Sequence, residues 1–226
     1  MCHASILSPF SLKSTILKKI EKEYLSADEK NRKHIFYANR EKFNLLKLSD
    51  DISVELAALF IFLNRTCFNG LYRVNSKGGY NVPQGNYKNP CICDEENLRK
   101  VSDKLQSVKI IHGDYRLSEN FIDEETFAYF DPPYRPLSTT ANFTSYAQDG
   151  FDDNAQAELA NFIDKMSERG AYVLASNSDP KNADANDNFF DNLYAKHKIL
   201  RIEASRAINS VGSGRGRIRE LLIANG

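Results

Sequence analysis

Apolar side chains recur at four-residue steps near the beginning of the chain and predict helices there. The stripe lies among Lys and Glu residues and consists of Leu12, Ile16, Ile20 and Tyr24. We expect residues 11–48 to be helical, with a second helix over about 31–46. Residues 53–66 are apolar nearly all round, and this composition predicts a buried helix.

From residue 94 onward the pattern changes to a capped helix followed by alternating strands and helices. The predicted strands are 108–112, 127–130, 171–175, 198–204 and 220–224, and the predicted helices are 94–106, 153–169 and 188–196. This alternation indicates a mostly parallel, doubly wound α/β sheet. Because no helix separates the last two strands, we expect them to form an antiparallel hairpin at the sheet edge.

One of these strands ends abruptly in Asp131-Pro132-Pro133-Tyr134. Two successive prolines prevent the strand from continuing, so the acid lies at the carboxyl end of a strand, where open α/β sheets place their chemistry. The prolines have fixed φ and no N–H, which makes their carbonyls rigid acceptors. An acid, a rigid carbonyl and an aromatic ring would suit a planar amine. The alternative is an ordinary strand-ending turn with an exposed aspartate.

The region 64–90 is rich in Asn, Gly, Tyr and Pro and predicts a β-hairpin. Residues 71–75 and 80–82 would be its arms, joined through Lys77-Gly78-Gly79. No Asp or Glu occurs between residues 56 and 93, whereas four basic residues do: Arg65, Arg73, Lys77 and Lys88. A basic, aromatic hairpin without acids suits a polyanion. A Gly-rich loop with a few solvated charges is the alternative.

Bulk composition narrows the class of protein without naming a ligand. The chain has 226 residues with 30 basic and 30 acidic side chains, so net charge alone does not indicate nucleic acid binding. Four cysteines are too few for a disulfide framework, and Cys91-Ile92-Cys93 lacks zinc spacing, so no metal is expected. With no apolar run of membrane-spanning length and no signal peptide, we expect a cytoplasmic protein.

Several blocks, in a fixed order, resemble the Dam-type DNA adenine-N6 methyltransferases of bacteria and phages. They are Asn64-Arg-Thr-Cys-Phe-Asn-Gly-Leu-Tyr-Arg-Val-Asn75, Tyr80-Asn-Val-Pro83, Gly85-Asn-Tyr-Lys-Asn-Pro90, Asp131-Pro-Pro-Tyr134, Ser138-Thr-Thr-Ala-Asn-Phe143, Ser176-Asn177 and Glu220-Leu-Leu222. The resemblance covers most of the chain. It implies a Rossmann-like class I methyltransferase sheet, with a helical and β-hairpin DNA-recognition region over 1–106 and a catalytic core over 107–226.

The resemblance also implies an activity: methyl transfer from S-adenosylmethionine to the N6 amine of adenine in double-stranded DNA, within GATC. The catalytic residues would be Asp131, Pro132, Pro133 and Tyr134. The carboxylate and the Pro132 carbonyl would accept the two N–H bonds of an adenine flipped out of the duplex, and Tyr134 would stack on that base. Cofactor binding would fall to Gly113, Asp114, Tyr115 and Asp131, although Gly-Asp-Tyr alone is a common turn.

DNA binding would fall mainly to the hairpin. The implied contacts are Arg65, Phe68, Asn69, Leu71, Arg73, Asn75, Pro83, Tyr87, Lys88 and Asn142. Arg73 has the side chain suited to bidentate contact with guanine. Phe68 and Asn69 would enter the space around the flipped adenine, although Phe68 could instead pack in the core at a helix end.

The chain departs from the family in one respect. It has no tryptophan, and no Lys-Trp-Ala-Gly-Gly-Lys-like segment or glycine-rich turn precedes the hairpin. In complete members these elements hold the methionine part and the ribose of the cofactor, so we expect the first strand of the sheet to be missing. The alternative function is therefore a catalytically incompetent DNA-binding remnant of such an enzyme.

Overall fold

A computed structural model describes residues 10–49, 53–136, 151–205 and 217–226. Side chains are described over the same ranges except at residues 10–13, 205 and 217. The contacts divide the chain into two compact units, with the division after His112.

The described residues of the first unit form four α-helices. They are α1 (Phe10–Ser26), α2 (Glu29–Leu48), α3 (Val54–Thr66) and α4 (Glu95–Leu105). Each of the last three begins at a side chain that accepts a backbone N–H of its first turn, which satisfies one of the unpaired donors there: Asp28 for α2, Ser53 for α3 and Asp94 for α4. The capping residues thus explain where these helices begin.

The core of the first unit consists of aromatic and aliphatic side chains from the helices together with four side chains of the segment between α3 and α4. Its members are Leu17, Tyr24, Phe36, Phe43, Leu59, Phe62, Leu63, Cys67, Tyr80, Val82 and Ile92. Helix α3 was predicted to be buried nearly all round. One side of it is buried, with Leu59 and Phe62 in the core, whereas Phe60 is 42% exposed. Tyr80 and Val82 anchor the segment that follows α3 to this core.

That segment is a short, irregular hairpin. A 3₁₀ turn (Phe68–Gly70) leads into a first arm, and isolated bridges join Val74 to Tyr80 and Cys67 to Gln84. The turn between the arms closes through Gly78 N–H to the Asn75 carbonyl at 2.9 Å, with Gly78 at φ 76°. A positive φ favours glycine, which explains the turn at the predicted glycines.

The second unit is a four-stranded sheet with helices α5 (Asp153–Glu168) and α6 (Phe189–Leu193). Its strands are β1 (Phe127–Phe130), β2 (Tyr172–Ser178), β3 (Lys198–Ser205) and β4 (Arg217–Ala224), in the order β1-β2-β4-β3. β1 and β2 are parallel, and β4 is antiparallel to both β2 and β3. The predicted antiparallel pairing of the last two strands is confirmed.

One face of this sheet forms the core of the second unit. Apolar side chains of α5 and α6 pack on alternate strand residues, and the buried set comprises Ile122, Leu159, Ala160, Phe162, Ile163, Met166, Ala171, Val173, Ala175, Phe190, Tyr194, Leu221 and Ile223. Strand pairing places other apolar side chains on the opposite face, and Phe127, Tyr129 and Tyr172 are 66%, 54% and 66% exposed there. The α/β fold class predicted from the sequence is confirmed.

Two predictions about the sheet are wrong. Residues 108–112 form no strand, and Val108 and Ile111 are 46% and 47% exposed, because strand geometry requires a hydrogen-bonded partner and none pairs with this segment in the described ranges. The sheet is not mostly parallel either, since only one of the three described pairings is parallel: β4 lies between β2 and β3. None of the described helices is long and apolar enough to cross a membrane.

Candidate active site and nucleic-acid interface

Asp131 lies immediately after β1, and a serine from the neighbouring strand holds its carboxylate. Ser176, near the carboxyl end of β2, donates its hydroxyl hydrogen to Asp131 Oδ1 at 2.8 Å and accepts one from the Tyr129 hydroxyl at 3.0 Å. Ser176 is buried and Asp131 is exposed. The carboxylate therefore has one oxygen tied to the sheet while it faces solvent, where a ligand can reach it.

The second proline, Pro133, is held by a buried pair of amides. Gln156 of α5 donates from Nε2 to the Pro133 carbonyl at 3.0 Å, and its Oε1 accepts from Asn177 Nδ2 at 3.1 Å. Gln156 and Asn177 are 1% and 2% exposed. A buried amide with both ends bonded has little freedom to rotate, so this pair fixes the course of the chain after Asp131.

Arg135 anchors the chain just beyond Tyr134. Its guanidinium bonds Asp153 Oδ1 at 2.7 Å and Asp187 Oδ2 at 2.6 Å and lies 4.4 Å from the Phe189 ring centroid. These hydrogen bonds raise the pKa of Arg135 despite its partial burial. Burial alone would raise the pKa of Asp187, but the hydrogen bonds from Arg135 and the Phe189 N–H outweigh it and hold that pKa below its ordinary value.

Tyr134 is half-buried beside this network. Burial raises the pKa of its hydroxyl above the ordinary value, so the ring stays neutral. Together the four residues of the predicted amine site form an exposed acid, two prolines of which the second is fixed through its carbonyl by Gln156, and a neutral aromatic ring at one end of the β1–β2 pair. The alternative of a strand-ending turn with an exposed aspartate describes the backbone correctly but does not account for the buried polar partners.

The segment 113–115 makes a separate set of contacts. Asp114 Oδ1 accepts the Arg116 N–H at 2.9 Å, and Oδ2 accepts from its guanidinium at 3.1 Å, while the side chain stays 52% exposed. Gly113 has φ 151°, and an added Cβ would meet Leu117 Cδ1 at 2.6 Å. A half-exposed carboxylate with lone pairs to spare fits an incoming amino group.

Tyr115 is oriented toward the interior of the second unit. Its ring packs edge-on against Phe162 at 5.3 Å, with the Arg116 guanidinium 5.0 Å from its centroid. Its hydroxyl is buried without a hydrogen-bond partner in the described part of the chain, and burial raises its pKa. A stacking role for Tyr115 against a cofactor ring stays a prediction.

The nine predicted DNA contacts in the first unit share one property: every one of them is exposed. They are Arg65, Phe68, Asn69, Leu71, Arg73, Asn75, Pro83, Tyr87 and Lys88. Residues between them, namely Thr66, Cys67, Tyr80, Val82 and Gly85, are buried. The hairpin therefore alternates anchoring side chains with side chains directed at solvent, as an interface requires.

Two local features shape the turn after α3. Asn69 has φ 54° and ψ 23°, a left-handed conformation that Asn tolerates better than most residues, and Asn64 Nδ2 donates to the Gly70 carbonyl at 2.6 Å. Phe68 is 52% exposed on this turn. The alternative in which Phe68 packs in the core at a helix end is wrong.

Arg73 is held by a neighbour on the opposite arm. Its Nε donates to Asn81 Oδ1 at 2.8 Å, and its carbonyl accepts the Asn81 N–H at 3.0 Å.

Asn142 and the surrounding 138–143 block lie outside the described residues. No group of three His, Cys, Asp or Glu side chains in the described ranges lies close enough to hold a metal ion.

Sequence reasoning missed several residues that organise the site. Gln156 and Arg135 belong to none of the sequence motifs. Helix α2 contributes Arg40 and Asn44, which bond the hairpin backbone. Ser176 was part of a motif but had no assigned role. The available signal was weak: a polar residue such as Gln156 on the apolar face of an amphipathic helix indicates a buried partner.

The fold places these residues in a defined class of protein. A mixed α/β sheet with an antiparallel final strand, and an acid followed by prolines at the end of a parallel strand pair, are consistent with a methyltransferase fold. A family model described as D12 class N6 adenine-specific DNA methyltransferase matches residues 11–208, and the chain belongs to this family.

Individual relatives agree with this assignment. The chain is 48% identical over 210 residues to "Type II methyltransferase M.MjaIII" of Methanocaldococcus jannaschii, which covers 92% of this chain and 70% of the relative. It is 41% identical to "Type II methyltransferase M1.LlaDCHI" of Lactococcus lactis subsp. cremoris, covering 76% and 59% of the two chains. A "DNA adenine methylase" of Vibrio cholerae is 40% identical, with 86% and 66% covered. The chain thus spans about three fifths to seven tenths of these relatives.

Proposed function

We propose that this chain transfers a methyl group from S-adenosylmethionine to the N6 amine of adenine in double-stranded DNA, within GATC. Family membership supports the reaction class. The observation that carries the proposal is the exposed Asp131 carboxylate, tied through Oδ1 to the buried Ser176. The proposal assigns four catalytic roles, to Asp131, Pro132, Pro133 and Tyr134.

Asp131 acts on the target amine by accepting a hydrogen bond from it. The lone pair of an exocyclic adenine amine is delocalised into the ring, so the nitrogen is a poor nucleophile. An acceptor on each N–H, the carboxylate and the Pro132 carbonyl, draws the nitrogen toward a tetrahedral geometry and frees the lone pair. Acceptors that are already oriented stabilise the charge that develops on nitrogen without reorganisation. Ser176 orients the carboxylate, and Gln156 fixes the backbone at Pro133, the residue after Pro132.

Gly113, Asp114, Tyr115 and Asp131 are the residues proposed to hold the cofactor. The half-exposed Asp114 carboxylate retains lone pairs for an amino group, and Gly113 before it has a positive φ and no room for a Cβ beside Leu117. When bound, S-adenosylmethionine supplies an activated methyl group on a sulfonium. The chemistry needs no metal ion.

Sequence selection is assigned to the hairpin. Exposed Arg73, held by Asn81, is proposed to contact guanine, with Leu71, Pro83 and Tyr87 beside it as base contacts. Phe68 and Asn69 are proposed to fill the space that the flipped adenine leaves. Arg65 and Lys88 would pair with phosphates. Asn75 is also proposed to contact DNA.

The test is methyl transfer from radiolabelled S-adenosylmethionine to a duplex with a single GATC site. We expect label in the wild-type reaction and none with a duplex in which the site is scrambled. Asp131→Ala should lower the transfer rate about 100-fold or more, since it removes one of two preorganised acceptors. Its affinity for the duplex, measured by fluorescence anisotropy, should stay unchanged.

Asp103→Ala serves as the matched control, because Asp103 is an exposed aspartate on α4. It should transfer methyl groups at the wild-type rate. Full activity of Asp131→Ala would refute the catalytic role of this carboxylate. Duplex binding by the wild type without any transfer would favour the DNA-binding remnant.

A further inference from the structure

The second arm of the hairpin is bonded on both of its edges. Carbonyls and amides of an extended chain alternate sides, so residues 79, 81, 83 and 85 face one way and residues 78, 80 and 82 the other. On the first edge, the Asn75 N–H donates to the Gly79 carbonyl at 2.9 Å, the Asn81 N–H to the Arg73 carbonyl at 3.0 Å and the Phe68 N–H to the Pro83 carbonyl at 2.9 Å. The Gly85 N–H donates to the carbonyl of Thr66, the last residue of α3, at 2.8 Å.

Side chains of helix α2 occupy the other edge. Lys47 Nζ donates to the Gly78 carbonyl at 2.8 Å, and Arg40 Nη1 donates to the Val82 carbonyl at 3.3 Å. Between them, Asn44 accepts the Tyr80 N–H at 2.7 Å and donates to the Tyr80 carbonyl at 3.1 Å. Three helix side chains thus bond three alternate residues of the arm.

The spacing of these side chains matches the geometry of the arm. Residues 40, 44 and 47 are four and three positions apart, which places them on one face of a helix. They run antiparallel to the arm, because the highest-numbered helix residue bonds the lowest-numbered arm residue. The Asn44 amide exchanges two hydrogen bonds with one residue, as a paired residue on a neighbouring strand would do. The helix therefore takes the place of a third strand.

We propose that Asn44 is a positioning residue for sequence recognition, which fixes the hairpin so that Arg73 is presented to a guanine before DNA is bound. The link is short: Asn44 fixes Tyr80, the next residue Asn81 bonds Arg73 at both its backbone and its guanidinium, and Arg73 stands exposed. This inference rests on the proposed function of the hairpin. It predicts that Asn44 governs discrimination between sequences and not general affinity for DNA.

The first experiment uses the wild-type chain without DNA and follows amide hydrogen exchange. The Tyr80 N–H should be protected as strongly as the Asn81 N–H, which has a backbone acceptor. Asn44→Ala should speed exchange at Tyr80 at least about tenfold, because the N–H of a buried residue loses its acceptor. Tyr80 exchange at an unprotected rate in the wild type would overturn the proposal, and this result does not depend on a variant that folds.

The second experiment compares dissociation constants for a GATC duplex and a scrambled duplex of equal length. Asn44→Ala should reduce the ratio of the two constants about tenfold, the scale of one good contact between arginine and guanine, while affinity for the scrambled duplex stays within twofold. Asn39→Ala is the matched control, since Asn39 is also half-buried on α2 but its side chain bonds, among the residues that the structure describes, only the Ile35 carbonyl of its own helix, at 2.8 Å. It should leave the ratio unchanged.

The outcomes separate this inference from the proposed function. A wild-type preference for GATC that survives in folded Asn44→Ala would overturn the positioning role and leave the function standing. A wild-type chain without any preference would refute GATC recognition and, with it, the role of Asn44 in recognition. Loss of preference in both Asn44→Ala and Asn39→Ala would also overturn the specific role of Asn44.

Discussion

Replacing Gln156 by Leu tests whether the buried amide pair holds the end of β1. Leu has a similar size but no hydrogen-bonding group, so the change removes the bonds to the Pro133 carbonyl and to Asn177 Nδ2. The lost bond to the Pro133 carbonyl costs about 1 kcal/mol net, and the Asn177 amide, 2% exposed, would be left with an unsatisfied donor at a cost of about 1–3 kcal/mol. We expect the free energy of unfolding to fall by about 2–4 kcal/mol.

The assay is urea denaturation followed by far-ultraviolet circular dichroism. With a slope of about 2 kcal/mol per molar urea, the loss shifts the midpoint by about 1–2 M. Gln106→Leu is the matched control, because Gln106 is exposed at the end of α4 and its side chain bonds, within the described ranges, only the Ser102 carbonyl of its own helix, at 3.3 Å. It should change the stability by no more than about 0.5 kcal/mol. Equal midpoints for Gln156→Leu and the wild type would show that the pair does not hold this turn.

Two further changes test other parts of the site. Gly85→Ala should shift the loop that carries Tyr87 and lower both stability and duplex affinity, because the new Cβ would lie 2.5 Å from the Tyr87 ring and 2.7 Å from the Cys67 carbonyl. Gly79→Ala is the control and should be tolerated, since its new Cβ would lie 3.5 Å from the nearest atom. Equal melting temperatures for the two variants would contradict this prediction. Asp187→Asn should remove about 1 kcal/mol of stability near pH 7. Since the pKa of Asp187 is lowered in the folded chain, its contribution is complete above the unfolded pKa of about 3.9 and is lost as the pH falls through the folded value. The two urea midpoints should therefore converge in acid, and a difference that persists at the lowest pH would refute the assignment.

Much of the first unit could be predicted from the sequence. Helix periodicity and the capping residues Asp28, Ser53 and Asp94 are local signals, and the helices begin at them. The hairpin turn was predictable because Gly78 adopts a positive φ that few other residues tolerate. The two arms, by contrast, are less regular than predicted, since side chains of α2 replace part of the strand pairing.

The errors arose where a residue pattern depends on a partner elsewhere. Residues 108–112 have the composition of a strand, but composition does not supply the neighbouring strand that makes one. The position of β4 between β2 and β3 could not be inferred either, because the order of strands in a sheet follows from the packing of the whole unit.

The sequence by itself determined where Asp131 lies, at the end of a strand that two prolines stop, and the position and order of the blocks that identify the family. These are properties of neighbouring residues. Only the tertiary structure decided what holds them: Ser176, Gln156 and Asn44 bond partners 45, 23 and 36 positions away. Such bonds depend on how the elements pack, and residue spacing does not encode them. The chemistry of the site is therefore local in the chain, while its orientation is a property of the fold.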